Sequence, residues 1–219
     1  MLALGMIAAL AMPGTAQATP QLGDLGVKQS MSVKASNGES LEGKDLRAIQ
    51  LATYTAASVD GNTIVGYDLT TNTALASDIT AAAKAAGATD TNLTVNGKND
   101  PMVWVVKNLT DSRSDPWSGK LRNFCNSLAK QTNFAKQDGT AVSTLSQDKA
   151  TMSTGNVLVP GIYAIVDRTP ATTTLSSGTA IKTTASIMMM NGTAVNGVNQ
   201  LRTAGGTTLT LSLIHISEP

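Results

Sequence analysis

The chain is nearly without histidine and cysteine, carrying one of each in 219 residues. A lone Cys125 cannot form an internal disulfide, and with a single imidazole there is no mixed His/Cys set for zinc. Aromatic residues make up 3% of the chain, which removes the stacking platforms that single-strand nucleic-acid binders need. Charged residues make up 14% and the net charge is +1, so no basic footprint exists for nucleic acid or for an anionic membrane. The apolar run from Leu2 to Met12 is too short for a stable transmembrane span. Carboxylates, lysines and hydroxyls remain, a set that would serve a glycosidase or a Ser-Lys hydrolase. No motif gathers them, and no cofactor is implied.

What is present begins with two unusual ends. MLALGMIAALAMPGTAQATP has an apolar run, a Pro13-Gly14 break and Ala16-Gln17-Ala18, which fits the small-residue cleavage rule of a secretory signal peptide. Residues 1–18 therefore read as a signal peptide, truncated at its start because the basic n-region is missing. A lipoprotein would need a cysteine directly after the signal, and none is there. At the other end, LSLIHISEP alternates apolar and polar positions as a terminal strand does. The same string resembles the translation of a transposase end plus adapter used in sequencing libraries. On that reading residues 211–219 are foreign, His215 goes with them, and the natural chain continues past about Thr210. Without His215 there is no base for a Ser-His or Cys-His nucleophile pair.

Residues 19–210 suffice for one large domain or two small ones. In an exported chain a single cysteine places stability elsewhere than in disulfides, and Cys125, set in an apolar stripe, reads as a small buried hydrophobe. Asn37-Gly38, Asp60-Gly61, Asn96-Gly97, Asp138-Gly139, Asn191-Gly192 and Asn196-Gly197 accept the positive φ angles of tight turns. Between them lie β-rich runs: Met31–Ala35, Leu46–Thr55, Thr63–Leu69, Gly161–Asp167 and Thr183–Met190. That spacing predicts an antiparallel sandwich.

The middle follows another period. Leu75, Ile79, Ala82, Ala83 and Ala86 recur as on a helix that Gly87 can end. Asp100-Pro101 and Asp115-Pro116 each offer a carboxylate at the N-cap and proline at the first helical position. After the second, Trp117, Leu121, Phe124, Cys125 and Leu128 share one face and predict an amphipathic helix packed on a sheet. Met102–Val106 reads as a shorter helix in spite of its β-branched residues. The expected fold is mainly β with a helical insertion: an Ig-like antiparallel β-sandwich carrying two or three helices, between about Asp78 and Lys130, on one flank.

Four segments, LRAIQLATYTAASVDGNTIVGYDLT (Leu46–Thr70), DPMVWVVKNLTDSRSDPWSGKLRNFCNSLA (Asp100–Ala129), VPGIYAIVD (Val159–Asp167) and ASIMMMNGTAVNG (Ala185–Gly197), resemble in order and spacing the N-terminal domain of sortase-assembled backbone pilins of Gram-positive bacteria, particularly actinobacteria. The resemblance implies secretion, location in the cell wall and on the cell surface, and a shaft-forming role in a pilus used for adhesion. Its implied partners are neighbouring pilin subunits and a sortase acting through C-terminal regions that this chain lacks. The pilin-motif lysine, further Ig-like domains and an LPxTG-type sorting signal are absent, and truncation accounts for all three. The alternative reading is a monomeric surface adhesin that binds host glycans or matrix proteins through its loops.

The resemblance also suggests an intramolecular Lys-Asn isopeptide bond, promoted by a buried acid whose raised pKa keeps it neutral. In the related collagen-binding-type B domains the lysine lies on the first strand and the acid follows a G-x-Y segment. Lys34 and Asp167 of Gly161-Ile162-Tyr163-Ala164-Ile165-Val166-Asp167 match, with the acceptor asparagine beyond the truncation. The bland alternative is an edge lysine and a solvated Asp167-Arg168 pair. Asn92, Asn108 and Asn191 begin N-x-T triplets that are chance in an Asn/Thr-rich chain. Met188, Met189 and Met190 alternate faces in a strand and so cannot form one metal-ligand set.

Overall fold

A computed structural model describes residues 21–35, 39–95, 97–109, 119–170, 173–174, 180–181, 186–202, 208–211 and 213–216. The signal-peptide segment, the Asn37-Gly38 turn, Asp115-Pro116 and Trp117 lie outside the described residues. The first half of the chain forms β1 (Gln21–Leu22), β2 (Ser32–Ala35), β3 (Leu46–Asp60), β4 (Thr63–Thr71), α1 (Ala76–Ala85), β5 (Thr94–Val95), β6 (Lys98–Asn99), α2 (Pro101–Asn108), α3 (Gly119–Ala129) and α4 (Thr132–Ala135). The second half adds β7 (Thr140–Val142), β8 (Thr144–Leu145), β9 (Thr151–Ser153), β10 (Gly161–Asp167), β11 (Thr173–Thr174), β12 (Ala180–Ile181), β13 (Ser186–Gly192), β14 (Gln200–Arg202), β15 (Thr208–Thr210) and β16 (Leu213–Ile216).

The chain is mainly β, with helices and several sheets. The large sheet runs β13-β10-β3-β4-β14-β15, with β1 and β7 also pairing to β3, and a smaller sheet runs β16-β2-β9-β8. Every residue of β10 is buried, because both faces of that strand are covered. Ile162, Ala164 and Val166 enter one apolar cluster and Tyr163 and Ile165 another, as the two-residue period of a strand requires. The first cluster joins the large sheet to Ile79, Ala82 and Ala83 of α1, Met102 and Val105 of α2, and Phe124, Cys125 and Leu128 of α3. The second joins Leu46, Ala48 and Val142 of the large sheet to Val33, Ala35 and Met152 of the small one. The large sheet is thus a central layer, with helices on one face and a second sheet on the other.

The helical pattern survives with adjustments. α1 ends before Gly87 at φ +103°, where a side chain would be strained. Leu121, placed by its spacing on the buried face of α3, is only half-buried against the periphery of the core, while Phe124, Cys125 and Leu128 are buried. Asp100 is the N-cap residue of α2 with Pro101 after it, yet its side chain makes no cap bond. Its carboxylate instead accepts from the Thr71 N–H and hydroxyl, and the Thr71 hydroxyl oxygen accepts from Met102 N at 3.0 Å. A threonine from β4 therefore does the capping by proxy. Asp78, buried on α1, accepts from Phe134 N at 2.8 Å and Asn133 Nδ2 at 3.0 Å, so its charge sits at the start of α4, where free N–H groups favour it.

Most of the turn expectations hold in the described residues. Gly61 has φ +56° between β3 and β4, and Asn196 and Gly197 have φ +48° and +80° between the paired Val195 and Val198. Asn191-Gly192 is different: both residues lie inside β13, opposite Tyr163 and Ile162. The glycine serves close approach instead, since a Cβ there would collide with the Tyr54 hydroxyl. At the C-terminus Leu211 is buried in the helix-facing cluster, and β16 pairs parallel to β2, Leu213 opposite Ser32. The apolar alternation of the tail thus completes a strand, whatever its origin.

Candidate functional site

β10 ends at Asp167, directly opposite Leu46 at the start of β3. Leu46 lies in the core between the two sheets, and residues opposed across a ladder share a face, so Asp167 points into that layer. Its side chain is 2% exposed. Oδ1 accepts from Thr169 N at 2.9 Å and from the Thr169 hydroxyl, and Oδ2 accepts from Lys44 Nζ at 3.3 Å. The Thr169 hydroxyl oxygen accepts from Asp45 N at 2.9 Å, and Arg168 N donates to Asp45 O at 2.8 Å. The segment entering β3 is thereby tied to the segment leaving β10, around an ion pair whose lysine side chain is 11% exposed. A charge-assisted bond in such surroundings is among the stronger kinds.

Lys34 is not part of this cluster. Its neighbours Val33 and Ala35 point into the inter-sheet core, so strand alternation turns Lys34 outward, and it is exposed. Its cross-strand partners are Thr151 on β9 and His215 on β16. The Ser146 hydroxyl, then the Ala150 N–H, and more weakly the Lys34 charge hold the Asp148 carboxyl below its ordinary value. The structure does not bring Lys34 and Asp167 together: Lys34 faces outward from β2, and the lysine that meets Asp167 is Lys44. The solvated-pair alternative fails as well, because Asp167 is buried. The Arg168 guanidinium donates instead to Ala135 O at 2.8 Å and Gln137 O at 2.9 Å, fixing the loop after α4.

Sequence reasoning missed Lys44, although a signal existed. Antiparallel pairing of the two strongest strand patterns, Leu46–Thr55 and Gly161–Asp167, sets the beginning of one beside the end of the other, and Lys44-Asp45 directly precedes the first. Among the described residues no group of three or more His, Cys, Asp or Glu side chains could hold a metal ion. No helix there is long and apolar enough to cross a membrane. Compared with protein-family models, curated proteins and solved structures, the chain matches none.

The tyrosines report on the same two cores. Burial pushes the Tyr163 phenol up to about 12. Burial also raises Tyr67, and raises Tyr54, to which the Tyr67 ring packed at 5.1 Å adds a smaller electrostatic share. These are all three tyrosines of the chain. Unfolded tyrosine titrates near pH ~10, so the folded state holds the phenol protons more tightly. The stabilisation is complete below that pH and is lost as pH rises through the folded values. In an alkaline titration, stability should fall from about pH 10 upward, and phenolate absorbance should appear together with loss of the strand circular-dichroism signal. Phenolate absorbance near pH ~10 from a chain still folded would contradict this.

Proposed function

We propose that residues 19–210 form the N-terminal domain of a secreted backbone pilin, a structural subunit that aligns its neighbours in a sortase-polymerised, cell-wall-anchored fibre. The observation that supports this reading is where the four resembling segments fall. Leu46–Thr70 is the β3–β4 hairpin, Asp100–Ala129 contains α2 and α3, Val159–Asp167 contains β10, and Ala185–Gly197 contains β13. All four contribute to one apolar cluster, through Tyr54, Met102, Phe124, Ile162 and Ile187 among others. Pieces scattered along the chain thus build a single core, as a domain-level likeness demands. The Ig-like form of the sandwich belongs to this proposal, and so does the foreign origin of residues 211–219.

Mechanically, such a domain needs rigidity more than reactivity. The fully buried β10, laced to β3 and β13, supplies that rigidity, and the Lys44–Asp167 pair locks its end. Sequencing the locus from source DNA tests the reading. It should show a different codon series after about Thr210 and, beyond it, a lysine-bearing pilin motif and a sorting signal. An intact anchor without a pilin lysine would favour the monomeric adhesin. LSLIHISEP reproduced without library adapters would show that the tail is native.

A further inference from the structure

Asn191-Gly192 and Asn196-Gly197 are the Asn-Gly pairs of which both members lie among the described residues, and the fold treats them differently. Asn196 and Gly197 form the tip between Val195 and Val198, whose N–H and C=O groups bond reciprocally at 2.9 Å each way. Both tip residues are exposed, and both have positive φ, +48° and +80°. The space around Gly197 is open, with nothing within 4 Å of where a Cβ would stand. Its N–H donates to Gln29 Oε1 at 3.4 Å, longer than an ordinary N–H···O bond. Once deprotonated, that nitrogen can reach the Asn196 carboxamide carbon, because a glycine has no side chain to crowd the approach. A single bridge pair closes the tip, so the local opening that turns the peptide toward the carboxamide costs far less than unfolding.

Asn191-Gly192 has the same composition in a setting that blocks this reaction. Both residues pair with β10, opposite Tyr163 and Ile162, and Gly192 lies against the Tyr54 hydroxyl. The Gly192 N–H reaches the Asn191 Oδ1 at 2.8 Å, but that contact turns the proton, not the nitrogen lone pair, toward the carboxamide. Rotating the peptide plane to bring the nitrogen onto the carbon would break the ladder. The exposed tip also has a structural charge that the strand pair lacks. Val195 is buried in the helix-facing cluster, and Gly23 lies so close to it that a Cβ on Gly23 would collide with Val195 Cγ1. Gln29, itself buried, accepts from the tip at Oε1 and donates from Nε2 to Val27 O at 2.9 Å. The tip thus clamps the segment from Gly23 to Gln29, which leads into β2.

We propose that Asn196 is a site of spontaneous self-modification that loosens this clamp with age. The Gly197 nitrogen gives its proton to solvent base and bonds to the Asn196 Cγ, the Cγ–Nδ2 bond breaks, and Nδ2 takes up a proton and leaves as ammonia. Water then opens the cyclic imide at either carbonyl, giving aspartate or isoaspartate. Aspartate tolerates the left-handed backbone and keeps the turn. Isoaspartate carries the chain through an additional atom, which the reciprocal Val195–Val198 bonds cannot accommodate. The inference goes beyond the fibre reading and holds equally for a monomer. The test is to incubate the folded chain for weeks in mildly alkaline buffer and to map it by mass spectrometry with fragmentation that separates aspartate from isoaspartate. Hydrogen exchange is followed at the Gly23 and Gln29 amides, which donate to Ala57 O and Leu158 O. Asn196 should be converted more than about tenfold faster than Asn191, and faster still at higher pH. Chains carrying isoaspartate should exchange faster at Gly23 and Gln29, whereas fresh Asn196→Asp and incubated Asn196→Ser chains should keep the protection of the parent. The proposal is overturned if Asn196 stays intact in the folded chain, if Asn191 reacts as fast, or if isoaspartate at the tip leaves Gly23 and Gln29 as protected as before.

Discussion

Phe124→Ala should lower the stability of the chain by about 3–5 kcal/mol. Phe124 is fully buried on α3, in the cluster that joins the helices to the large sheet. Truncation removes the transfer free energy of the ring and leaves a cavity that α1 and the sheet can only partly close. Domains are stable by only about 5–15 kcal/mol, so the variant stands near its unfolding threshold and its urea midpoint should drop sharply. Leu121→Ala, three residues earlier and half-buried, should cost distinctly less. Equal midpoint shifts for the two would mean that α3 presents a different face to the sheet.

Lys44→Met should also be destabilising, by at most about 3–5 kcal/mol, because it withdraws a cation from a buried carboxylate. Asp167 keeps its bonds from Thr169 in that variant but loses the cation at its second oxygen. The double variant Lys44→Met/Asp167→Leu should recover much of the loss, since removing both charges also removes the desolvation cost. Lys34→Met, on an exposed side chain, should stay within about 0.5 kcal/mol of the parent. Intact mass should equal that of the unmodified chain, as an ion pair requires, whereas loss of one water would mean that Lys44 and Asp167 have condensed to an amide. A destabilised Lys34→Met beside an unaffected Lys44→Met would reverse the assignment.

The elements were legible in the sequence where one period dominated. Gly161–Asp167 is a strand with the bounds expected from its apolar run, and Ala76–Ala85 follows the helical spacing of Ile79, Ala82 and Ala83. What the sequence did not reveal depends on neighbours distant along the chain. Asn191-Gly192 has the composition of a turn, yet it pairs with β10, and only that partner decides it. Asp100 has the position of a cap, but Thr71, from another element, takes the role. Lys34 lies on β2 with its side chain outward, while Val33 and Ala35 beside it face the core, a distinction of one residue in a period of two.

The domain is proposed to serve a covalently polymerised fibre. The most direct test is to express the full-length gene, read from source DNA, together with its sortase, and to run cell-wall extracts under denaturing conditions. On this proposal a ladder of SDS-resistant polymers is expected, one that is lost when residues 22–210 are deleted and that persists in Lys34→Ala. A single monomeric band from the intact gene, or a ladder abolished by Lys34→Ala in a domain that remains folded, would contradict it.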